Sequence, residues 1–451
     1  MLTKLSMVAI GCMLLLFGLD EISLNAQTIL PIVGSPHLSL GNTAWMLVAT
    51  ALVMLMTIPG LAFFYGGLVR QKNVLNILMQ CFILLAVITI EWMAFGYSNA
   101  FGSSSGITKG IIGNFDWAFL RNIKINDLSP YFNQYVPDER IPHIVFIIYQ
   151  CMFAVITPAL IIGAFAERIK FRGFLIFSVL WAVIVYNPVV HWIWSSDGWL
   201  FKLGVVDFAG GIVVHINAGI SALIMAILVG RRKYHESSPT PPHNIPFVVL
   251  GTGLLWFGWF GFNAGSSLAA DGLAGNAFLV THVAAAAAAL TWALMDWIIN
   301  KKPTTIGMCT GAIAGLAAIT PAAGYVDFSG ALIISIISSV VCYIMVGKVK
   351  ILLKYDDSLD AFGVHGVGGI IGSLLVGVLA SRLIQPSVSG SSHQLIIQAL
   401  AVGVTIVYSG GFTFIIFKVV DKIWGIRATD EEESIGLDLS QHEEIAYTEV
   451  E

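Results

Sequence analysis

Charge is what this chain has least of. Only 11% of its 451 residues are Asp, Glu, Lys or Arg, against 57% hydrophobic ones. A soluble domain carries roughly a quarter charged residues, so a fold whose whole surface meets water is excluded. The charges nearly cancel, 23 basic against 27 acidic for a net −4. No basic excess is available for phosphate contacts, which excludes nucleic acid as a partner. Cysteine is scarce too. Cys81, Cys151, Cys309 and Cys342 lie in apolar runs and Cys12 in an N-terminal one, with no metal-ligand spacing and no disulfide framework. No metal or cofactor is expected. What remains is apolar sequence with a mean hydropathy of +0.83, the composition of an all-α polytopic membrane protein.

Residues 1–26 read as a probable signal peptide. Lys4 precedes a short apolar run from Met7 to Leu19, and "SLNAQ" supplies a small-residue cleavage site after Ala26. Beyond it, eleven runs of spanning length are predicted at about 43–66, 74–97, 143–165, 172–194, 207–230, 245–263, 276–299, 304–320, 328–347, 361–381 and 394–424. Basic residues concentrate in alternate loops: Arg70 and Lys72; Arg168, Lys170 and Arg172; Arg231, Arg232 and Lys233; Lys301 and Lys302; Lys348, Lys350 and Lys354; Lys422 and Arg427. The opposite short loops hold only Lys202 and Arg382. This bias predicts the N-terminus outside and the C-terminus in the cytosol. The domain organisation expected is a membrane domain over 27–424 and a cytosolic regulatory tail over 425–451.

Two strings recur. "FAVITPALIIG" in the third run returns as "LAAITPAAGYV" in the eighth, and "DFAGGIVVHINAG" in the fifth returns loosely as "DSLDAFGVHGVGG" in the tenth. Copies five helices apart enter the membrane from opposite sides, so an inverted five-helix repeat is predicted, with halves at about 43–230 and 245–381 and a long eleventh helix over 394–424. Asp207 and Asp357 each stand eight residues before a histidine, His215 and His365. Eight helical residues rise about 12 Å, so from opposite sides of a core of about 30 Å the two rings arrive near the midplane and can touch. Each is flanked one turn away by small residues, Gly211 and Gly219 or Ala361 and Gly369. That pattern fits either close helix packing with the histidines as interhelical glue or a narrow lumen. The matched depth favours the lumen.

Other polar residues at depth carry less. Asp207 is expected to cap its helix through free backbone donors, and Asp357 and Asp360 to begin the tenth helix. Glu91 and His282 have no repeat partner; Glu91 reads as a solvated carboxylate near the outer end of its span. Asp296, close to Lys301 and Lys302, reads as an interfacial anchor.

"DFAGGIVVHINAG" closely resembles the signature of the ammonium transporter family, the Amt, Mep and Rhesus proteins. The resemblance runs through "GLAFFYGGLVRQKN", "ITPALIIGAFAERIKF", "WFGFNAGSSLAADG", "ITPAAGYVD", "FGVHGVGGIIGSLLVG" and the tail "DEEESIGLDLSQHEEIAY". It implies that His215 and His365 line a pore and that Phe153 and Phe262 close its outer mouth. Trp194 and Ser266, with Asp207 beside them, match the external ammonium-recruiting site, and Trp259 matches a wall position lower down. Tyr149 stands where phenylalanine is commoner in the family, and the 98–142 loop is longer than many members carry. The resemblance further implies ammonium or ammonia as substrate, a homotrimer in the plasma (inner) membrane, and transport rather than enzymatic activity.

From Asp430 to Glu451 there are nine acidic residues and no basic one. By composition that is a solvated tail; by resemblance it is a regulatory segment packed under the pore, with a PII-type signalling protein as the implied partner. The mechanism expected is capture as ammonium, deprotonation at the outer gate, and passage of ammonia along two neutral imidazoles sharing a proton. A relative that binds ammonium as a sensor but conducts poorly is the alternative. A membrane-embedded enzyme is disfavoured because no nucleophile or metal-ligand cluster accompanies either histidine.

Overall fold

The structure, a computed structural model, describes residues 35–233 and 241–447. The segment expected to be a signal peptide, and Cys12, lie outside the described residues. The chain divides into Met1–Ser35 and Pro36–Glu451, and everything below concerns the second unit.

Eleven apolar helical runs follow one another: α1 (Leu40–Leu68), α2 (Gln71–Phe101), α3 (His143–Phe165), α4 (Phe171–Lys202), α5 (Gly211–Val229), α6 (Ile245–Ser267), α7 (Gly272–Asn300), α8 (Thr305–Ile319), α9 (Phe328–Leu353), α10 (Phe362–Leu379) and α11 (Ser392–Trp424). Among the described residues, ten are long and apolar enough to cross a membrane. The exception is α8, whose 15 residues rise only about 22 Å. It stops at Thr320–Pro321, because proline's ring and missing N–H end a helix. The same "ITPA" string in α3 leaves Pro158 inside an unbroken helix. At the other extreme α11 has 33 residues, about 50 Å of helix.

Burial sorts the helices. α3 is 89% buried over its most apolar window, whereas α9 and α11, as apolar or nearly so, are 39% buried; lipid is as apolar as a helix interior, so packing position and not polarity sets the difference. α5 packs on α3, α10 and α11, and α6 on α1, α7 and α8. Several helices widen locally into π-helical turns, among them Trp92–Gly96 in α2, Ala182–Tyr186 in α4, Gly211–Ile216 at the start of α5 and Phe362–Gly366 at the start of α10. The 98–142 region is largely irregular but anchored: Tyr131 stacks on Phe146 at 4.8 Å and 11° and donates its hydroxyl to the Phe101 carbonyl at 2.9 Å. A two-residue strand, β1 (His37–Leu38), pairs in parallel with β2 (Glu139–Arg140).

After α11 come two short helices, α12 (Asp430–Ile435) and α13 (Leu437–His442). They are docked rather than solvated. Leu437 is fully buried, and the Asp438 carboxylate accepts the Leu75 and Asn76 amides at the start of α2 at 3.1 and 2.8 Å. Glu433 accepts the Lys233 amide at 2.6 Å. The acidic composition misleads here because these carboxylates serve as acceptors for free backbone donors.

Candidate functional site: a file of aromatic rings and two histidines

The site begins with how α5 and α10 start. Asp207 accepts four backbone amides, those of Gly210 and Gly211 on Oδ1 at 3.0 and 2.6 Å and those of Ile212 and Val213 on Oδ2 at 2.9 and 3.0 Å. These are the donors that a helix start leaves free. Gly210 makes the turn at φ +111°, a conformation side chains other than glycine rarely adopt. Asp357 repeats the device at α10, accepting Ala361 and Phe362 amides at 3.0 and 2.9 Å. Both helices then open with a π-helical turn, and His215 and His365 each sit in one.

α5 and α10 cross in close contact. A Cβ added at Gly219 would lie 2.3 Å from the Gly366 backbone, and one at Gly369 would lie 2.9 Å from the His215 Cβ. The crossing brings the two imidazoles together, centroids 5.3 Å apart and planes within 15°. Both rings are buried. Both nitrogens of His215 and Nδ1 of His365 have no hydrogen-bond partner among the described residues, so no hydrogen bond joins the rings themselves. Trp259 stacks on His215 at 5.5 Å and is held by Nε1 donating to Thr320 Oγ1 at 2.9 Å.

A continuous ring file leads away from His215. Phe262 lies 6.1 Å from it, Phe153 stacks on Phe262 at 4.2 Å and 26°, and Trp194 meets Phe153 edge-on at 5.7 Å and 87°. Beyond Phe153, on the face of the 98–142 loop, opens a vestibule of about 470 Å³ whose walls include Tyr131, Gln150, Trp194, Asp207 and Ser266. Below the stacked phenylalanines lies a cavity of only about 10 Å³, walled by Ile156, Leu160, Trp259, His215 and His365. His365 also borders a third space of about 130 Å³ on the tail face, with Phe64, Ser358, Asp360 and Arg232. The histidine pair therefore stands between two wider openings, behind a shut aromatic pair.

The comparisons decide what family this architecture belongs to. The model of the Ammonium Transporter Family matches residues 44–447. An ammonium transporter of Bacillus subtilis (strain 168) is 46% identical over 415 residues, 91% of this chain and 99% of that protein. Ammonium transporter Amt1 of Archaeoglobus fulgidus is 46% identical over 411 residues, 90% and 99% of the two. Among solved structures, Saccharomyces cerevisiae Mep2 superposes with a TM-score of 0.81 at 34% identity, covering 92% of this chain and 97% of that one. A structure described as a sensor Amt protein gives 0.80 at 34%, covering 89% and 98%. The chain belongs to the ammonium transporter family.

Within this family member, a multi-pass membrane protein whose relatives are transport proteins rather than enzymes, the remaining residues take particular places. The Asp207 carboxylate is fully engaged by its helix, and its backbone carbonyl accepts Trp194 Nε1 at 2.8 Å. Asp207 therefore fixes the indole through its main chain. Tyr149 donates to the carbonyls of Gly261 and Phe262, both at 2.9 Å, and its oxygen lies 3.2 Å from Ser266 Oγ. The Ser266 hydroxyl donates to the Phe262 carbonyl at 2.9 Å, which leaves its lone pairs for the vestibule. Gln150, which sequence reasoning missed, presents a buried, unpartnered Oε1 there; its signal was its position one turn from Phe153.

One expectation changes. Glu91 is no rim carboxylate: it is 5% exposed and bonded to Asn187. His282 is exposed on the flank of α7, 5.3 Å from Trp256 and away from the ring file. Asp296 accepts Tyr343 and Thr304 hydroxyls at 3.0 and 2.7 Å, joining α7 to α8 and α9.

Proposed function

We propose that this protein moves ammonium across the plasma membrane, taking it up as the ion at the vestibule and passing it as ammonia along His215 and His365. The observation that carries the reading is the set of unpartnered imidazole nitrogens facing a cavity of about 10 Å³. A buried polar group left unpaired costs about 1–3 kcal/mol, so this arrangement favours a small hydrogen-bonding guest in the file. The names of the relatives, ammonium transporters of Bacillus subtilis and Archaeoglobus fulgidus, support ammonia as that guest.

The chemistry follows the file. Trp194 and Phe153 offer aromatic faces that attract a cation by about 0.5–2 kcal/mol. Ser266 accepts an N–H from ammonium, and a potassium ion has none to give. The Phe153–Phe262 stack excludes water, and a bare cation pays heavily in the apolar stretch below it. Ammonia loses far less. Neutral imidazole offers one acceptor and one donor, so the two histidines can hand ammonia along and also relay a proton. The matched capping of α5 and α10 by Asp207 and Asp357 supports the inverted repeat, with α8 as a short eleventh span. The basic-residue bias supports an external N-terminus and a cytosolic C-terminus. In this reading 1–26 is a signal peptide, 27–424 the membrane domain, and 425–451 a cytosolic regulatory tail. The protein assembles as a homotrimer, and a PII-type protein docks at the tail face.

The test is the transient current of purified protein in liposomes after an ammonium jump, with potassium as control. A saturable, ammonium-selective current is expected, and it is expected to lose its selectivity when His215 and His365 are both replaced by leucine. Unchanged selectivity in that variant would sink the mechanism. The structural likeness to a sensor Amt protein favours one second reading, binding without conduction. Ammonium binding by folded protein that gives neither current nor ammonia flux would establish it.

A further inference from the structure

Behind α3, on the side away from the ring file, the π-helical turns of α2 and α4 meet around one carboxyl group. Glu91 immediately precedes Trp92–Gly96, and Tyr186 and Asn187 close Ala182–Tyr186 and resume the helix. Glu91 Oε1 accepts Asn187 Nδ2 at 2.9 Å. Two further oxygens in this cluster are buried and without a hydrogen-bond partner among the described residues: Glu91 Oε2 and Asn187 Oδ1. Gly96 provides the room, since a Cβ there would lie 2.7 Å from both carboxyl oxygens.

The partners that could stabilise a charge are few. From α3 the group facing Glu91 is the Cys151 thiol; from α4 they are the Tyr186 hydroxyl and the Asn187 amide. None is cationic. An ionised carboxylate at this depth would be an uncompensated buried charge. It would also leave Oε2 and the Asn187 Oδ1 as buried acceptors without a donor. One proton on Oε2 changes both facts: the carboxyl becomes neutral, and its O–H brings a donor to a cluster whose unpaired oxygens only accept.

We propose that Glu91 is a proton-binding site, holding α2 to α4 as a neutral acid paired with the Asn187 amide. Asn187 lies seven residues, about two turns, before Trp194 on α4. Loss of the proton to water leaves a carboxylate that the amide alone cannot satisfy, the α2–α4 tie loosens, and Trp194 shifts against Phe153. Ammonium handling then falls at alkaline pH. The proton site itself stands on its own geometry; its effect on flux rests on the transport reading above.

Two measurements test it on the full chain. Infrared difference spectra of the folded protein near neutral pH should show a protonated-carboxyl C=O band that is lost in Glu91→Gln and shifted in Asn187→Leu. A spectrum unchanged by both substitutions overturns the proposal whether or not the protein conducts, and either variant alone serves if the other does not assemble. In liposomes, Glu91→Gln keeps a neutral side chain of the same shape, so its current should match wild type near neutral pH and exceed it severalfold at alkaline pH. Ammonium speciation is common to both proteins and cancels in their ratio. A ratio that stays constant across the pH range overturns the coupling to transport.

Discussion

Asp207 shows how much one side chain can organise. Its two carboxylate oxygens take four backbone amides, and its carbonyl holds the Trp194 indole. Replacing it by alanine should cost at least the about 0.5–2 kcal/mol of a lost cap, read as a lower thermal midpoint in detergent, with a change in Trp194 fluorescence. Asn, which keeps one acceptor oxygen, should fall between. A stable Asp207→Ala protein with unaltered fluorescence would contradict this account. The capping role was legible because a carboxylate just ahead of an apolar run has few other uses. Glu91 was not legible: α2 runs to Phe101, which takes the residue deeper than the span boundary suggested, and burial depends on α3 and α4 rather than on local sequence.

At the scale of elements, the α5–α10 crossing sets where the histidines stand. Small residues four apart were visible in the sequence. The π-helical turns at the start of both helices were not, because one extra residue per turn leaves apolar periodicity almost unchanged over so short a stretch. Gly219→Val tests the crossing. Its Cβ has backbone of Gly366 at 2.3 Å, and neither helix can yield without moving its histidine. We expect destabilisation of about 1–3 kcal/mol or more, typical of overpacking, together with loss of transport. Gly253→Ala in α6, where an added Cβ meets nothing within 4 Å, is the control and should be neutral or slightly stabilising. Equal behaviour of the two variants would refute the close-contact argument.

Across the whole molecule, charge gathers on the tail face. Arg168 is buried and lies 3.3 Å from Asp356, which Arg232 also grips at 2.9 Å. Burial alone would raise the Asp356 carboxyl, but Arg168 and Arg232 outweigh it and hold it well below the usual carboxylate range. A depressed folded value means that the stabilisation is complete above the unfolded value of about 3.9 and is lost as pH falls through the folded one. Thermal stability should therefore show no loss from this group between neutral and mildly acidic pH. Asp356→Ala strands a buried guanidinium and should cost about 3–5 kcal/mol throughout that range. A small, pH-dependent loss would instead mean that the pair is solvated. The docked tail closes the same face through Asn73, whose Oδ1 accepts the Leu437 amide at 2.8 Å.

Hydropathy and length are local properties, so the sequence by itself determined the membrane class, the order and approximate bounds of the apolar helices, and, through long specific strings, the family. It also predicted that His215 and His365 could touch, because helical rise converts residue number into distance, and the rings lie 5.3 Å apart. Which polar groups find partners was decided only in three dimensions. The Asp438 carboxylate meets the start of α2 across 362 residues of chain, and Glu91 meets Asn187 across 96. No periodicity carries such pairings, since each depends on how helices pack and on what their neighbours leave unsatisfied.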